Sequence, residues 1–365
     1  MKARHSPPSG RRIRHIEELR THLQTAIELE HATLPPYLCA LYSIHDGANR
    51  EAAALIRGVV MEEMLHLVQA ANVLNAIGGH PDLCHPKFIP EYPTGLPHSN
   101  NAFQVNLLKF SPEAIETFLK IERPAQPGAK PQAHGYATIG QFYEAIRQGL
   151  QRICRDNAHF IKNHGLQVTP EAYYGGVHRV ATPAPGGQTL RHRVPIPVTD
   201  LPSALSALDV IMEQGEGLDH TLFSGDADAH MAGIHAEDEE WAHYFRFNEI
   251  LHGRHYGDGQ MPTEPPAGTL LPVDWTAVYP MTPNPKMKAH EGTPAHPPMV
   301  EFNATYMTLL RSLHDALNGQ PDQMQRSVAV MYQLKYQAVA LMKMPSGRND
   351  GLTAGPSFEY LPETS

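Results

Sequence analysis

Two short motifs constrain this chain more than any other feature in it. Glu63-Met64-Leu65-His66 and Glu240-Trp241-Ala242-His243 each set a carboxylate and an imidazole three residues apart, in stretches with helical periodicity. At about 100° per residue such a pair shares one helix face. Each is preceded by a helical segment with a Glu on its apolar stripe: Glu30 before the first, Glu216 before the second. One Glu from each of two helices, with Glu-x-x-His from each of two more, is the ligand set of a two-metal carboxylate bundle of four helices.

Glu-x-x-His alone is a weak signal, because the chain holds four: Glu28/His31, Glu63/His66, Glu240/His243 and Glu249/His252. Helical register separates them. The first helix carries the stripe Leu19, Leu23, Ile27, Leu34, Tyr37 and Leu41, and Glu30 lies within it. Glu28 points away and His31 is on the flank. The second helix has Leu55, Val59, Ala70, Val73 and Ile77 on its stripe, with Glu63 and His66 inside it and Glu62 at the edge. Glu240 and His243 share a face with Phe247 and Ile250, whereas Glu249 and His252 project from the other side. A third stripe, Leu205, Leu208, Ile211 and Met212, has Glu216 at its edge and Glu213 farther round. Glu216 is the preferred ligand there, with Glu213 as the alternative.

The expected ligands are therefore Glu30, Glu63, His66, Glu216, Glu240 and His243, which act catalytically through the metals they hold. A purely structural role would bury four carboxylates and two histidines in one bundle with no basic residue on those stripes, which is costly. Two divalent cations supply the missing charge. Oxygen-rich ligands with two imidazoles suit iron or manganese. Two iron ions are the expectation, with manganese or a mixed iron/manganese pair as alternatives. Open positions between the metals would accept O2 or peroxide.

The rest of the chain reads as mainly α. Helices are expected at about 14–44, 50–77, 112–121, 139–160, 201–217 and 237–254. The helices at 14–44, 50–77, 201–217 and 237–254 are read as the core bundle, within about 14–254. Val177–Val180 and Leu190–Val194 flank Pro183-Ala184-Pro185-Gly186-Gly187 and read as a short hairpin. Residues 255–365 supply a long Pro-rich excursion expected to wrap the bundle, then helices at about 300–317 and 321–344 and a loose tail. These last helices are strongly apolar and either pack on the bundle or form a homodimer contact. No composition break marks a second domain, so 1–365 is read as one. Leu34-Pro35-Pro36-Tyr37 falls inside the first helix, where proline removes hydrogen bonds, and reads as a break between two stacked helices or a kink beside the metals. Tyr37 returns to the face of Glu30 and reads chiefly as packing.

Composition excludes several classes. A net charge of −9 offers no basic surface to nucleic acid. No apolar run is long enough to span a membrane, and the start of the chain has no secretory pattern. Three widely spaced cysteines form neither a disulfide framework nor a zinc spacing, which suits a reducing cytoplasm.

Four motifs occur in order: Ala26 to Ser43 (AIELEHATLPPYLCALYS), Glu62 to Leu67 (EEMLHL), Glu213 to Gly217 (EQGEG) and His243 to Ile250 (HYFRFNEI). Together they resemble the ferritin-like domain of the iminophenylpyruvate dimer synthase family. The resemblance implies a ferritin-like bundle and the six metal ligands above. It also implies oxidative chemistry, which in that family couples two amino-acid-derived imines in pigment pathways. That assignment belongs to much larger proteins, so their substrate is not carried over: the chain is expected to be a di-iron oxidoreductase that uses O2 or peroxide on a small organic substrate, amino-acid-derived molecules being one candidate class. The alternatives are an iron-binding ferroxidase without an organic substrate, or an interaction protein with a relic site.

Overall fold

The computed structural model describes residues 12–100, 103–161, 164–173, 194–217, 241–257 and 259–362. Eight α-helices lie in these segments: α1 (Ile16–Ser43), α2 (Arg50–Ala76), α3 (Pro112–Ile121), α4 (Ile139–Ile153), α5 (Leu201–Glu216), α6 (His243–His252), α7 (His296–Leu317) and α8 (Gln323–Lys343). Among the described residues β-pairing is confined to isolated bridges. Most of the stretch read as a hairpin, 174–193, lies outside the described residues.

The short helices start where capping chemistry places them. Ser111 accepts from Ala114 N (3.2 Å) ahead of Pro112, and Thr138 accepts from Gln141 N (3.3 Å). Asp200 and Ser203 cap α5 reciprocally.

α1 lies along α2. α3 and α4 both face α1, α5 and α6 both face α2, α3 packs on α6 and α4 on α5. The result is a bundle of four columns, two continuous and two each built from a pair of short helices. This corrects the expected membership of the bundle. The third column is α3 with α4, not the segment 201–217, and α5 shares the fourth column with α6. Periodicity identifies each helix but says nothing about which helices stack end to end.

α1 is also uninterrupted where a break or kink was expected. It runs through Pro35 and Pro36, both buried. A proline at position 36 leaves the carbonyl four residues earlier without its helical donor. That carbonyl, Ala32 O, accepts instead from the Tyr92 hydroxyl at 2.8 Å. A loop residue from outside the helix thus replaces the donor that Pro36 lacks.

α2 presents polar side chains to the interior for a related reason. Gln69, Asn72 and Asn75 are fully buried. Asn72 exchanges hydrogen bonds with the backbone of Val168 (2.9 and 3.0 Å), Gln69 accepts from Ile196 N (2.9 Å), and Asn75 donates to Leu317 O (2.7 Å). These bonds dock the connecting segments and the end of α7 onto the bundle.

α7 and α8 pair with each other and rest on α2 and α1 respectively. His31 Nε2 lies 2.5 Å from the Tyr306 hydroxyl, tying α1 to α7. The Pro-rich excursion meets the end of α1, with Tyr279 N donating to Ser43 O (2.8 Å). The tail is not loose as far as it is described. Phe358 is buried against Phe302 and Tyr306, and Asn303 holds Ser357 and Glu359 (2.8 and 2.7 Å). Two aromatic rings on α7 make a seat that helix spacing alone does not reveal.

Replacing Tyr92 by Phe removes the donor to Ala32 O and nothing else. Leaving that buried carbonyl unmet should cost about 1–3 kcal/mol. Urea unfolding of the two proteins measures it; equal stability would mean that the hydroxyl does not replace that donor.

Candidate metal centre

α1 carries Glu30, Thr33 and Tyr37 on one face, at i, i+3 and i+7. α2 sets Glu63 and His66 opposite them. His243 is the first residue of α6, and Glu122 caps the C-terminal end of α3. All of these side chains are buried.

His66 Nδ1 lies 3.4 Å from Glu30 Oε2 and 3.6 Å from Glu63 Oε1. His243 Nδ1 lies 2.9 Å from the same Glu63 oxygen and 3.5 Å from Glu122 Oε2. Glu63 Oε1 therefore sits between two imidazole nitrogens, with one further carboxylate beyond each. Ligand atoms of Glu63, His66 and His243 all fall within 4.8 Å of one another. The two rings lie near-parallel, with centroids 5.3 Å apart.

The outer nitrogens are anchored. His66 Nε2 meets Gln214 Oε1 at 2.8 Å, and His243 Nε2 meets Glu62 Oε2 at 2.7 Å. An acceptor behind Nε2 keeps the proton there and turns the Nδ1 lone pair inward, as metal-binding histidines require. His243 Nδ1, although 2.9 Å from Glu63, makes no hydrogen bond among the described residues. A cation shared by the two atoms would fit this close approach.

The carboxylates are oriented from behind as well. Tyr143 donates to Glu30 Oε1, Tyr37 donates to Glu122 Oε1, and Thr33 donates to Glu63 Oε2 at 2.6 Å. Tyr37 thus holds a carboxylate of the site besides packing against Phe118 and Phe247.

The electrostatics are those of crowded anions. Burial and the charge of Glu63 raise the Glu30 carboxyl to about 7. Burial, with Glu63 beside it, also raises Glu122. Burial pushes Glu63 the same way, but the approach and charge of His243 and His66 hold it down to about 2. Burial opposes charging of His66, yet Glu30 and Glu63 keep its pKa up at about 9. The cluster thus retains protons, which bound cations would displace.

Of the six expected ligands, Glu30, Glu63, His66 and His243 converge here. Glu240 lies outside the described residues. Glu216 stands apart from the imidazoles: its Oε1 accepts from Gly140 N (2.9 Å) at the first turn of α4, against the positive end of that helix. A Cβ at position 140 would lie 2.0 Å from this oxygen, so the approach depends on glycine. Glu213, one turn earlier and half-buried, closes α5 through its carbonyl, which accepts from Gly217 N at 2.9 Å. The residue that sequence reasoning missed is Glu122. Ile115, Phe118 and Glu122 continue one stripe at i, i+3 and i+7, but the helix ends there and Pro124 follows, so the carboxylate reads as part of a linker.

A shallow recess with room for about one water is lined by Glu122, Arg123, Ile139, Tyr143, Met212 and Glu216, so it lies beside one edge of the cluster. The thiols lie apart from this chemistry: Cys39 and Cys154 are buried, and burial raises both.

A ferritin-like family model matches residues 23–252. Dichlorochromopyrrolate synthase of Lentzea aerocolonigenes is 29% identical over 348 residues, covering 86% of this chain. The chain spans 30% of that relative's length. A crystal structure of a ferritin like protein from Caulobacter vibrioides, at 1.95 Å resolution, superposes with a TM-score of 0.62 at 23% identity, covering 95% of this chain and 99% of that one. No described helix is long and apolar enough to cross a membrane.

Burial raises Glu216 from 4.5 to about 7. A carboxyl that holds its proton more tightly folded than unfolded stabilises the fold below about pH 4.5, and that contribution is lost as pH rises to about 7. Glu216→Gln keeps the acceptor for Gly140 N and removes the titration. Relative to the native chain, the metal-free variant should gain stability between pH 5 and pH 8, as read by urea unfolding. A difference independent of pH would show that Glu216 does not titrate in this range.

Proposed function

Because this chain belongs to the ferritin-like family, we propose that its buried cluster holds two metal ions, most naturally iron, and that it is an oxidoreductase using O2 or peroxide on a small, amino-acid-derived molecule. The observation that carries this reading is the placement of Glu63 Oε1 between His66 Nδ1 and His243 Nδ1, with Glu30 and Glu122 outside them. Each imidazole and each outer carboxylate would hold one ion, with Glu63 within reach of both. Helical spacing pairs Glu240 with His243, but α6 begins only at His243, after a non-helical Ala242 (φ −58°, ψ 158°), so that spacing does not set the two on one face. Glu122 takes the place first given to Glu216.

When bound, two such ions supply Lewis acidity and a store of electrons for oxygen chemistry. The protein's own part is positional. Tyr143, Tyr37 and Thr33 hold the carboxylates by hydrogen bonds, so the ligand atoms are arranged before any ion arrives. Apolar packing keeps bulk water from the cluster, and the recess beside Ile139 and Met212 is the side from which a small molecule would approach once these side chains move. Arg123 at its lining offers a cation to a carboxylate-bearing substrate. The relative's name, a synthase of dichlorochromopyrrolate, supports an organic product over metal storage.

Elemental analysis of protein produced with iron and manganese supplied tests the assignment. We expect about two metal ions per chain, as in other dinuclear carboxylate bundles. Glu63→Ala/His243→Ala and Glu122→Ala should lose metal, and Glu216→Gln should keep it. Unchanged metal in the first two, or loss only in the Glu216 variant, would reject this ligand set. Oxygen uptake by the loaded protein with aromatic amino acids and their imines then tests the chemistry; no substrate-dependent uptake would reject the proposed reaction.

A further inference from the structure

The two halves of the cluster match in front of the histidines and differ behind them. In front, each half has one outer carboxylate, and each carboxylate accepts from one buried phenol: Glu30 from Tyr143, Glu122 from Tyr37. Behind, His66 Nε2 meets a neutral amide, Gln214 Oε1 (2.8 Å), whereas His243 Nε2 meets a carboxylate, Glu62 Oε2 (2.7 Å). Glu62 is held in place. Arg246, only 2% exposed, reaches its two oxygens at 3.0 and 2.9 Å and also donates to Trp241 O. Gly58 makes room for this arginine, since a Cβ there would lie 3.1 Å from Arg246 Nη1. A single nitrogen of Arg246, Nη2, reaches both oxygens of the half-buried Glu62, and this ion pair fixes the direction of the carboxylate.

An anionic acceptor draws the Nε2 proton more strongly than an amide does and makes Nδ1 a better electron donor. We propose that the two metal positions are unequal: the ion held by His243, Glu122 and Glu63 binds first and more tightly, the ion held by His66, Glu30 and Glu63 binds second, and Glu62 and Gln214 are the positioning residues that set the difference. This rests on the dinuclear centre proposed above and adds an order to its assembly. It makes the centre a site that fills stepwise and can hold two different metals.

Calorimetric titration of the metal-free full-length chain with Mn2+, with bound manganese counted after equilibrium dialysis, tests it. Two binding constants separated by about tenfold or more are expected. Glu62→Gln should weaken the tighter constant by roughly 10–100-fold and bring the two together, the range found when partners behind a metal-bound histidine are removed. Gln214→Glu should strengthen the weaker constant and leave the tighter one in place. This second variant leaves the Arg246 pair intact, so it carries the test if Glu62→Gln fails to fold. Two equal constants in the native chain, or a weaker constant unmoved by Gln214→Glu, would overturn the inequality while leaving the dinuclear centre standing. No manganese uptake at all would overturn the centre itself.

Discussion

Three carboxylates and two imidazoles meet in the interior of this protein, and the rest of the site is arranged around the cost of keeping them there. Glu30, Glu63 and Glu122 are all buried. An isolated buried carboxylate is strongly disfavoured unless it is neutralised, paired or bound to metal. Phenols from Tyr143 and Tyr37 and the hydroxyl of Thr33 meet one oxygen of each carboxylate and leave the other facing the histidines. The remaining imbalance is one of charge, and hydrogen bonds cannot remove it. Cations would, and the proposed metal ions fit this convergence of ligand atoms.

Holding that convergence requires elements of different kinds. Two long helices, α1 and α2, supply Glu30, Glu63 and His66 from continuous, well-packed stripes. The other two columns are broken at the level of the cluster. Glu122 is at the end of α3, Glu216 at the end of α5 and His243 at the start of α6. Helix ends free their last residues from the helical lattice, and a small recess lined by Glu122 and Glu216 lies beside these breaks.

The connecting segments are integrated with the bundle by polar contacts that hydropathy does not register. Buried Gln69, Asn72 and Asn75 bond to the backbone of segments far along the chain, and Tyr92 replaces the donor that Pro36 lacks in α1. In each case a backbone group that would otherwise be buried without a partner recruits a side chain from a distant part of the sequence.

Much of this was legible from the residues. The stripes of the first two helices, the shared neighbourhood of Glu30, Glu63 and His66, and the helical class follow from period and register, because those are local properties of a helix; His243 opens α6 after a non-helical Ala242, so its place beside them comes from the tertiary fold. Glu122 and Glu216 mark where that reasoning stops. Both sit at helix ends, where register no longer dictates direction, and their roles depend on which helices share a column. The sequence by itself determined the residue types of the site: carboxylates and imidazoles on apolar helix stripes. Tertiary structure alone decided which carboxylate from the later helices stands beside the histidines, and that Glu62 with Arg246 backs one imidazole while Gln214 backs the other. Those choices are set by contacts between residues up to 184 positions apart, as between Glu62 and Arg246, and no local pattern encodes them.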